Sequence, residues 1–357
     1  MIINMKTYIV WGLIFTAFLI QVSCIDRLDF IAETEEGQLV IYGLVTDQQD
    51  AHAVSVSRTS AFGMPPQNIS GAKVSLILEG GARIGYTEVD QGKYELTGFK
   101  PIEKNKYALE VVVENQTYLS SYEMVPSLIA EDRLSFSFTF EPFRTNVEER
   151  VFTVFAETQL PETTDPIFLR WTVEETYYWE QTLPPCIGLC PPPPDPCFIS
   201  AIIEPSRMTL FDGSSTTTRK TNQVMAKRVA DNSFLFPFFA SVRQFSLNRN
   251  AYEYWEKIKV VTNNQGSLFD APPAPIRGNI RNVNHPEELI LGYFEVAKET
   301  VTRIYTSRND YPFYLVPPCT YILGRPINEY PAECRSCERR AQGKRWTNAP
   351  PAWWRFD

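Results

Sequence analysis

Between residues 38 and 124 the chain alternates apolar and polar positions in short runs broken by turn residues. In "AKVSLILE", Val74, Leu76 and Leu78 alternate with Lys73, Ser75 and Glu79; in "KYALEVVVE", Tyr107, Leu109, Val111 and Val113 share one face. Successive side chains of a strand point to opposite sides, so this period of two predicts strands with one buried face. Asp90 and Gly92 in "VDQGKYEL" supply turn chemistry before a new strand opens at Tyr94. "QLVIYGLVTD", "HAVSVSRTS" and "QTYLSSYEM" complete a set of short strands with no long helical pattern. Together they predict a small β-sandwich over residues 38–126.

From Leu134 the strands lengthen. "LSFSFTFEPF" alternates strictly through Phe136, Phe138 and Phe140, and "RVFTVFAET" and "IFLRWTVEETYYWE" continue the pattern. "SFLFPFFASVRQF" and "EELILGYFEVAKETVTRIY" read as further strands. One long helix is predicted over residues 247–263. Leu247, Ala251, Tyr254, Trp255, Ile258 and Val261 recur at helical spacing, Ser246 is placed to cap the start, and Asn263, Asn264 and Gly266 to end it. Residues 127–357 are therefore expected to form a larger β-rich domain with one helix. The expected fold class is mainly β.

The first thirty residues have a different character. Lys6 precedes Tyr8 to Ile20, a run whose only polar side chain is Thr16. A basic residue followed by an apolar run of this length is the pattern of a secretory signal, and a spanning helix would need ~20 apolar residues. The run ends at Ser23–Cys24, which resembles the lipobox of bacterial lipoproteins, with Gln21 standing where that motif usually has Leu. Residues 1–23 then form a lipoprotein signal peptide, Cys24 the acylated first residue, and 24–37, including the acidic "ETEEG", a solvated tether. Several acyl chains hold firmly, since each buried CH₂ contributes ~0.8 kcal/mol. The alternatives are an ordinary signal with Cys24 in a disulfide, or a single spanning anchor.

Composition narrows the picture further. A hydrophobic content of 44% and an aromatic content of 13% suffice for a real core. The net charge of −8 argues against nucleic acid as a partner, because phosphate contacts rely on basic clusters. Besides Cys24 the chain has Cys186, Cys190, Cys197, Cys319, Cys334 and Cys337. An even number in an exported chain reads as disulfides. "CIGLC" and "CRSC" also have the spacing of zinc ligands, although only His52 and His285 could assist a metal. The expectation is that Cys186, Cys190 and Cys197 brace one loop and that Cys334 and Cys337 brace the tail. The two clusters fit either local staples or one tie between distant segments. Between Cys190 and Cys197 lie Pro191, Pro192, Pro193 and Pro194, a stiff polyproline II segment that is either a spacer or a contact for a partner.

Searching for chemistry yields little. No nucleophile elbow, zinc-protease helix, P-loop, dinucleotide fingerprint or EF-hand loop occurs. His52 and His285 read as ordinary surface positions, and the neighbouring Glu174 and Glu175 must point to opposite faces of a strand. The basic, aromatic tail, with Trp346, Trp353 and Trp354, reads as packing back on the domain near Cys334 and Cys337. No catalytic residue, metal ligand or cofactor is assigned.

The "GAKVSLI", "GKYEL" and "YALEV" segments resemble transthyretin-like, or carboxypeptidase-regulatory-like, β-domains with an immunoglobulin-like sandwich. Over nearly the whole mature chain the order of segments resembles a family. It runs from the lipobox through "FLRWTVEETYYW", "SLNRNAYEYWEKI" (246–258), "GSLFDAPPAPIRGNI" (266–280) and "LGYFEVA" (291–297) to "CRSC" and "PPAWW". That family is the Bacteroidota outer-membrane lipoproteins of domain of unknown function 4249. Its members usually carry glycines after the late C-x-x-C, where this chain has "CERRAQGKRW". The resemblance implies a non-enzymatic accessory protein of a TonB-dependent receptor-type β-barrel. Such a protein would serve nutrient uptake or envelope assembly, lipid-anchored in the outer membrane and exposed at the cell surface. A stand-alone glycan- or peptide-binding lipoprotein is the alternative.

Overall fold

A computed structural model describes residues 37–61, 64–127, 129–163, 165–180, 195–204, 208–214, 218–263, 275–317, 319 and 322–355. Its first strands are β1 (Leu39–Thr46), β2 (Ala51–Arg58), β3 (Gln67–Asn68), β4 (Lys73–Leu78), β5 (Arg83–Gly85), β6 (Thr87–Asp90) and β7 (Lys93–Thr97). Then come β8 (Lys106–Val113), β9 (Gln116–Ser120), β10 (Glu123–Met124), β11 (Glu131–Pro142), β12 (Glu148–Gln159) and β13 (Phe168–Trp179). They are followed by β14 (Cys197–Ile202), β15 (Thr209–Asp212), β16 (Lys220–Val229) and β17 (Phe238–Leu247). Helix α1 (Arg249–Asn263), β18 (Ile280–Asn282), β19 (Phe294–Thr306), helix α2 (Cys337–Ala341) and β20 (Arg345–Thr347) close the order. The fold is mainly β, as the alternation predicts.

The sandwich near the start has β1, β2, β7 and β6 in one layer and β4, β8 and β9 in the other, with β5 on β4 and β10 on β8. Ile41, Val54 and Val56 meet Leu76, Leu109 and Val111 between the layers, all buried. Strands from far along the chain complete it. β18 pairs with β9, Ile280 opposite Ser120, and β19 runs parallel to β1 with Gly43 opposite Phe294. Ile280, Phe294 and Val296 thereby enter the same core.

The parallel β1–β19 pair joins two groups of strands into one eleven-stranded sheet. Its order is β20-β14-β13-β17-β19-β1-β2-β7-β6, with β15 on β13 and β3 on β2. A three-stranded sheet, β11-β12-β16, covers one face of β13 and β17, where Phe152, Val154 and Ala226 pack against Trp171, Val173 and Val242. On the opposite face α1 lies at one end, with Ala251 and Tyr252 packed against Phe168, Phe245 and Leu247. Trp354 lies at the other end, against Phe198 and Phe239. The buried Glu123 carboxylate ties these parts together: it accepts from Ser121 Oγ at 2.9 Å, Asn279 Nδ2 at 2.9 Å, Tyr293 Oη at 3.1 Å, and from Asn248.

Three expectations need correction. Ser246 does not cap the helix, because β17 runs on to Leu247 and holds Ser246 buried opposite Lys298. The helix starts two residues later than the pattern suggests. Asn248 caps it, its Oδ1 accepting from the Ala251 N–H at 2.9 Å. His52 is not a surface residue: it has no exposed area, and its Nε2 lies 2.9 Å from the Phe99 carbonyl oxygen, while His285 is exposed in a turn. Cys334 and Cys337 do not pair with each other. Cys337 bridges to Cys197, 140 residues away, and Cys334 to Cys319, 15 residues away. The two cysteine clusters are thus tied across the chain, and these four sulfurs are not zinc ligands. Cys24, Cys186, Cys190 and Pro191, Pro192, Pro193 and Pro194 lie outside the described residues. Among the described residues no helix is long and apolar enough to cross a membrane.

Candidate functional site

The register of three neighbouring strands sets up the site. Across β13, β17 and β19 the open face carries the rows Glu174–Ser241–Arg303, Thr172–Arg243–Val301 and Arg170–Phe245–Glu299. Side chains two apart on a strand share a face, so these nine positions form one patch. Helix α1 covers its first end. There Arg170 is buried, donates to Glu295 at 2.7 Å, and lies 4.4 Å over the Phe245 ring and 4.5 Å over that of Trp255. Trp255 donates its indole N–H to the same carboxylate. Burial, then the Glu295 charge, push the nearby Tyr42 hydroxyl above its ordinary value.

Trp354 seals the other end, its ring 4.9 Å from Phe198 and 4.5 Å from Phe239. Beside it stands Trp353, with the Arg303 guanidinium 4.5 Å over its ring. Between helix and tail an open cleft of about 590 Å³ remains, lined by Glu174, Ser241, Arg243, Glu299, Thr300, Val301, Arg303 and Trp353, with Gln48 and Gln49 after β1. Small-molecule sites typically occupy ~300–1,000 Å³.

The charges of the cleft are unequally satisfied. Glu299 is almost fully buried and accepts from Arg243 Nε at 2.6 Å, Thr46 Oγ1 at 2.8 Å and Gln49 Nε2 at 3.1 Å. Glu174 accepts from Arg345 at 2.7 Å. Arg303 rests on Trp353 and makes no ion pair with any described residue. Burial is the largest influence on this guanidinium and lowers its pKa, Glu174 opposes that, and Arg243 adds to it.

Glu174 and Glu175 do point to opposite faces. Glu175 is buried on the far side, accepting from Arg228 at 2.5 Å and Lys344 at 2.8 Å. His52 and His285 are not among the cleft's lining residues. Sequence reasoning did not single out Arg243, Glu299 or Arg303. Their signal is faint: isolated charges set into largely apolar strands, Arg243 in "SVRQF" and Glu299 and Arg303, four residues apart and so on one face, in "EVAKETVTRIY". Trp353 does pack back on the domain, as the tail's composition suggests, whereas Trp346 on β20 stays exposed.

Comparison with known proteins adds one firm result. The family described as "Domain of unknown function (DUF4249)" matches residues 25–303. The floor of the cleft lies within that stretch, while Trp353, Arg345 and three of the four bridged cysteines lie beyond it. No curated protein matches the chain. Among solved structures, a cryo-EM reconstruction of the native conformation of E. coli alpha-2-macroglobulin is similar at 11% identity and a TM-score of 0.17. The match covers 61% of this chain and only 14% of that one, and carries no argument.

Proposed function

The chain belongs to the domain-of-unknown-function 4249 family, and on that premise we propose that it is a non-enzymatic lipoprotein of the Bacteroidota outer membrane. In this reading it serves as an accessory subunit of a TonB-dependent receptor-type β-barrel. Cys24 carries the acyl chains, residues 24–37 are the tether, and Asp26 and Asp29, interrupted by Arg27 and Leu28, supply part of the acidic stretch that directs such lipoproteins to the cell surface. The Pro191–Pro194 segment is the sequence's candidate for contact with the barrel.

One observation carries the choice of binding over catalysis. Glu174 and Glu299, the carboxylates of the cleft, already accept from Arg345 and Arg243. A general acid or base must present its carboxyl oxygen to the reacting group, and here arginines hold each carboxylate. Paired acids on a rigid sheet instead make a pre-formed recognition surface, which lowers the ordering cost of binding.

Affinity isolation of the tagged full chain from detergent-solubilised membranes tests the partnership. The expected result is a receptor-type barrel recovered in near-equal amount. A strictly monomeric protein with no barrel companion would count decisively against it, and would favour the stand-alone glycan- or peptide-binding reading that the same cleft supports.

A further inference from the structure

Pairing Glu299 with Arg243 and Glu174 with Arg345 leaves one positive charge among the described residues of the cleft, that of Arg303. Its guanidinium carbon lies 4.5 Å from the centre of the Trp353 ring, and its N–H groups have no acceptor among the described residues. That planar fork matches a carboxylate bidentately. A single unpaired cation with Glu174 in the same cross-strand row suits a monoanion, whereas a dianionic phosphate would meet stronger repulsion from that acid. Around it, Gln48, Gln49, Ser241 and Thr300 offer neutral amides and hydroxyls, while Val301 and Trp353 supply apolar wall.

We infer that this cleft binds a carboxylate-bearing sugar, a hexuronate unit, with Arg303 clamping the carboxylate and the amide and hydroxyl side chains meeting the ring hydroxyls. A peptide fits less well. Extended peptides commonly add to a free sheet edge, whereas the floor of this cleft is a sheet face built by β13, β17 and β19 and offers side chains. Ser241 sits at the centre of the Glu174–Ser241–Arg303 row, and its small side chain gives the floor its depth. The inference goes beyond the receptor partnership and does not require it.

Calorimetric titration of the full chain in detergent micelles tests it, using trigalacturonate and triglucuronate, a neutral galactose trisaccharide, and one tripeptide as free acid and as amide. At least one uronate is expected to bind, and the neutral sugar at least about tenfold more weakly, as for loss of a charge-assisted hydrogen bond. Arg303→Gln should weaken uronate binding by a similar factor with an unchanged melting temperature, and Arg303→Lys should restore part of it. Ser241→Leu should block binding while leaving every charge in place. Equal binding of acidic and neutral sugars, undiminished binding by Arg303→Gln, or no uronate binding at millimolar concentration would each overturn the inference. Binding of the free-acid tripeptide alone would overturn it too.

Discussion

Cys197 and Cys337 stand 140 residues apart in the chain and are joined by a disulfide at the edge of the eleven-stranded sheet. Cys197 opens β14, and β14 pairs with β20 just after the helix that Cys337 begins. Seven residues past Ala341 within the same fastened segment, the chain reaches Asn348, which donates to the Pro196 carbonyl at 3.0 Å, and then Trp353 and Trp354. The bridge therefore secures the far wall of the cleft. Replacing both cysteines, Cys197→Ser with Cys337→Ser, should lower stability by about 2–4 kcal/mol. Denaturant unfolding reads that loss, and tryptophan emission should shift to the red in the native baseline as Trp354 gains water.

The buried Arg170–Glu295 pair should behave as a unit. Both side chains are almost fully covered, and Trp255 adds a donor to the same carboxylate. Glu295→Ala leaves Arg170 buried without its counter-charge and should cost about 3–5 kcal/mol. Arg170→Met with Glu295→Leu removes both charges and should cost less than the sum of the single changes. Urea unfolding of the three variants measures the coupling.

Gly292 explains part of what the family pattern contains. Its φ is +91°, and a Cβ there would lie 2.0 Å from the Ile41 carbonyl oxygen. Leu291 and Ile41 exchange backbone contacts at this point, with Ile41 N donating to Leu291 O and Leu291 N to Leu39 O, both at 2.9 Å. Gly292→Ala should destabilise by at least about 2 kcal/mol, since neither the backbone conformation nor the space tolerates a side chain. Thermal unfolding against the wild type checks this.

The same region shows where sequence reading reaches its limit. Alternation in β4, β8 and β11 is a local signal, and the structure forms those strands where the pattern places them. Pairing of β1 with β19 joins residues about 250 apart, and three-residue β18 has too little pattern to announce a partner. Long-range pairing leaves no trace in local periodicity, and so neither the shared sheet nor the cleft rows could be read from one chain. The disulfide partners were illegible for the same reason. Ser246 and Asn248 are both good capping residues, and only the length of β17 decides between them. His52 looked exposed because it opens a strand beside Asp50, yet packing against Phe99 buries it.

His52 should give stability a pH dependence. Burial holds its pKa below the ordinary value, so the fold keeps the imidazole neutral while the unfolded chain takes up a proton below about pH 6.5. Its contribution is fully present above that pH and declines as pH falls through the interval down to the folded-state value. Unfolding free energies at pH 7.5 and 5.5 should therefore differ more for the wild type than for His52→Gln. An identical difference in both would remove His52 as the source.

Everything proposed about a membrane partner depends on a lipid at Cys24. The most direct measurement is the intact mass of the mature protein, together with membrane fractionation of the wild type and of Cys24→Ala. The expected wild-type chain begins at Cys24, is heavier than its polypeptide by the acyl groups, and sediments with membranes. Cys24→Ala should be released into the soluble fraction or remain unprocessed with its signal attached. A Cys24→Ala protein of the same mature mass as the wild type, still held in the membrane fraction, would contradict the anchor.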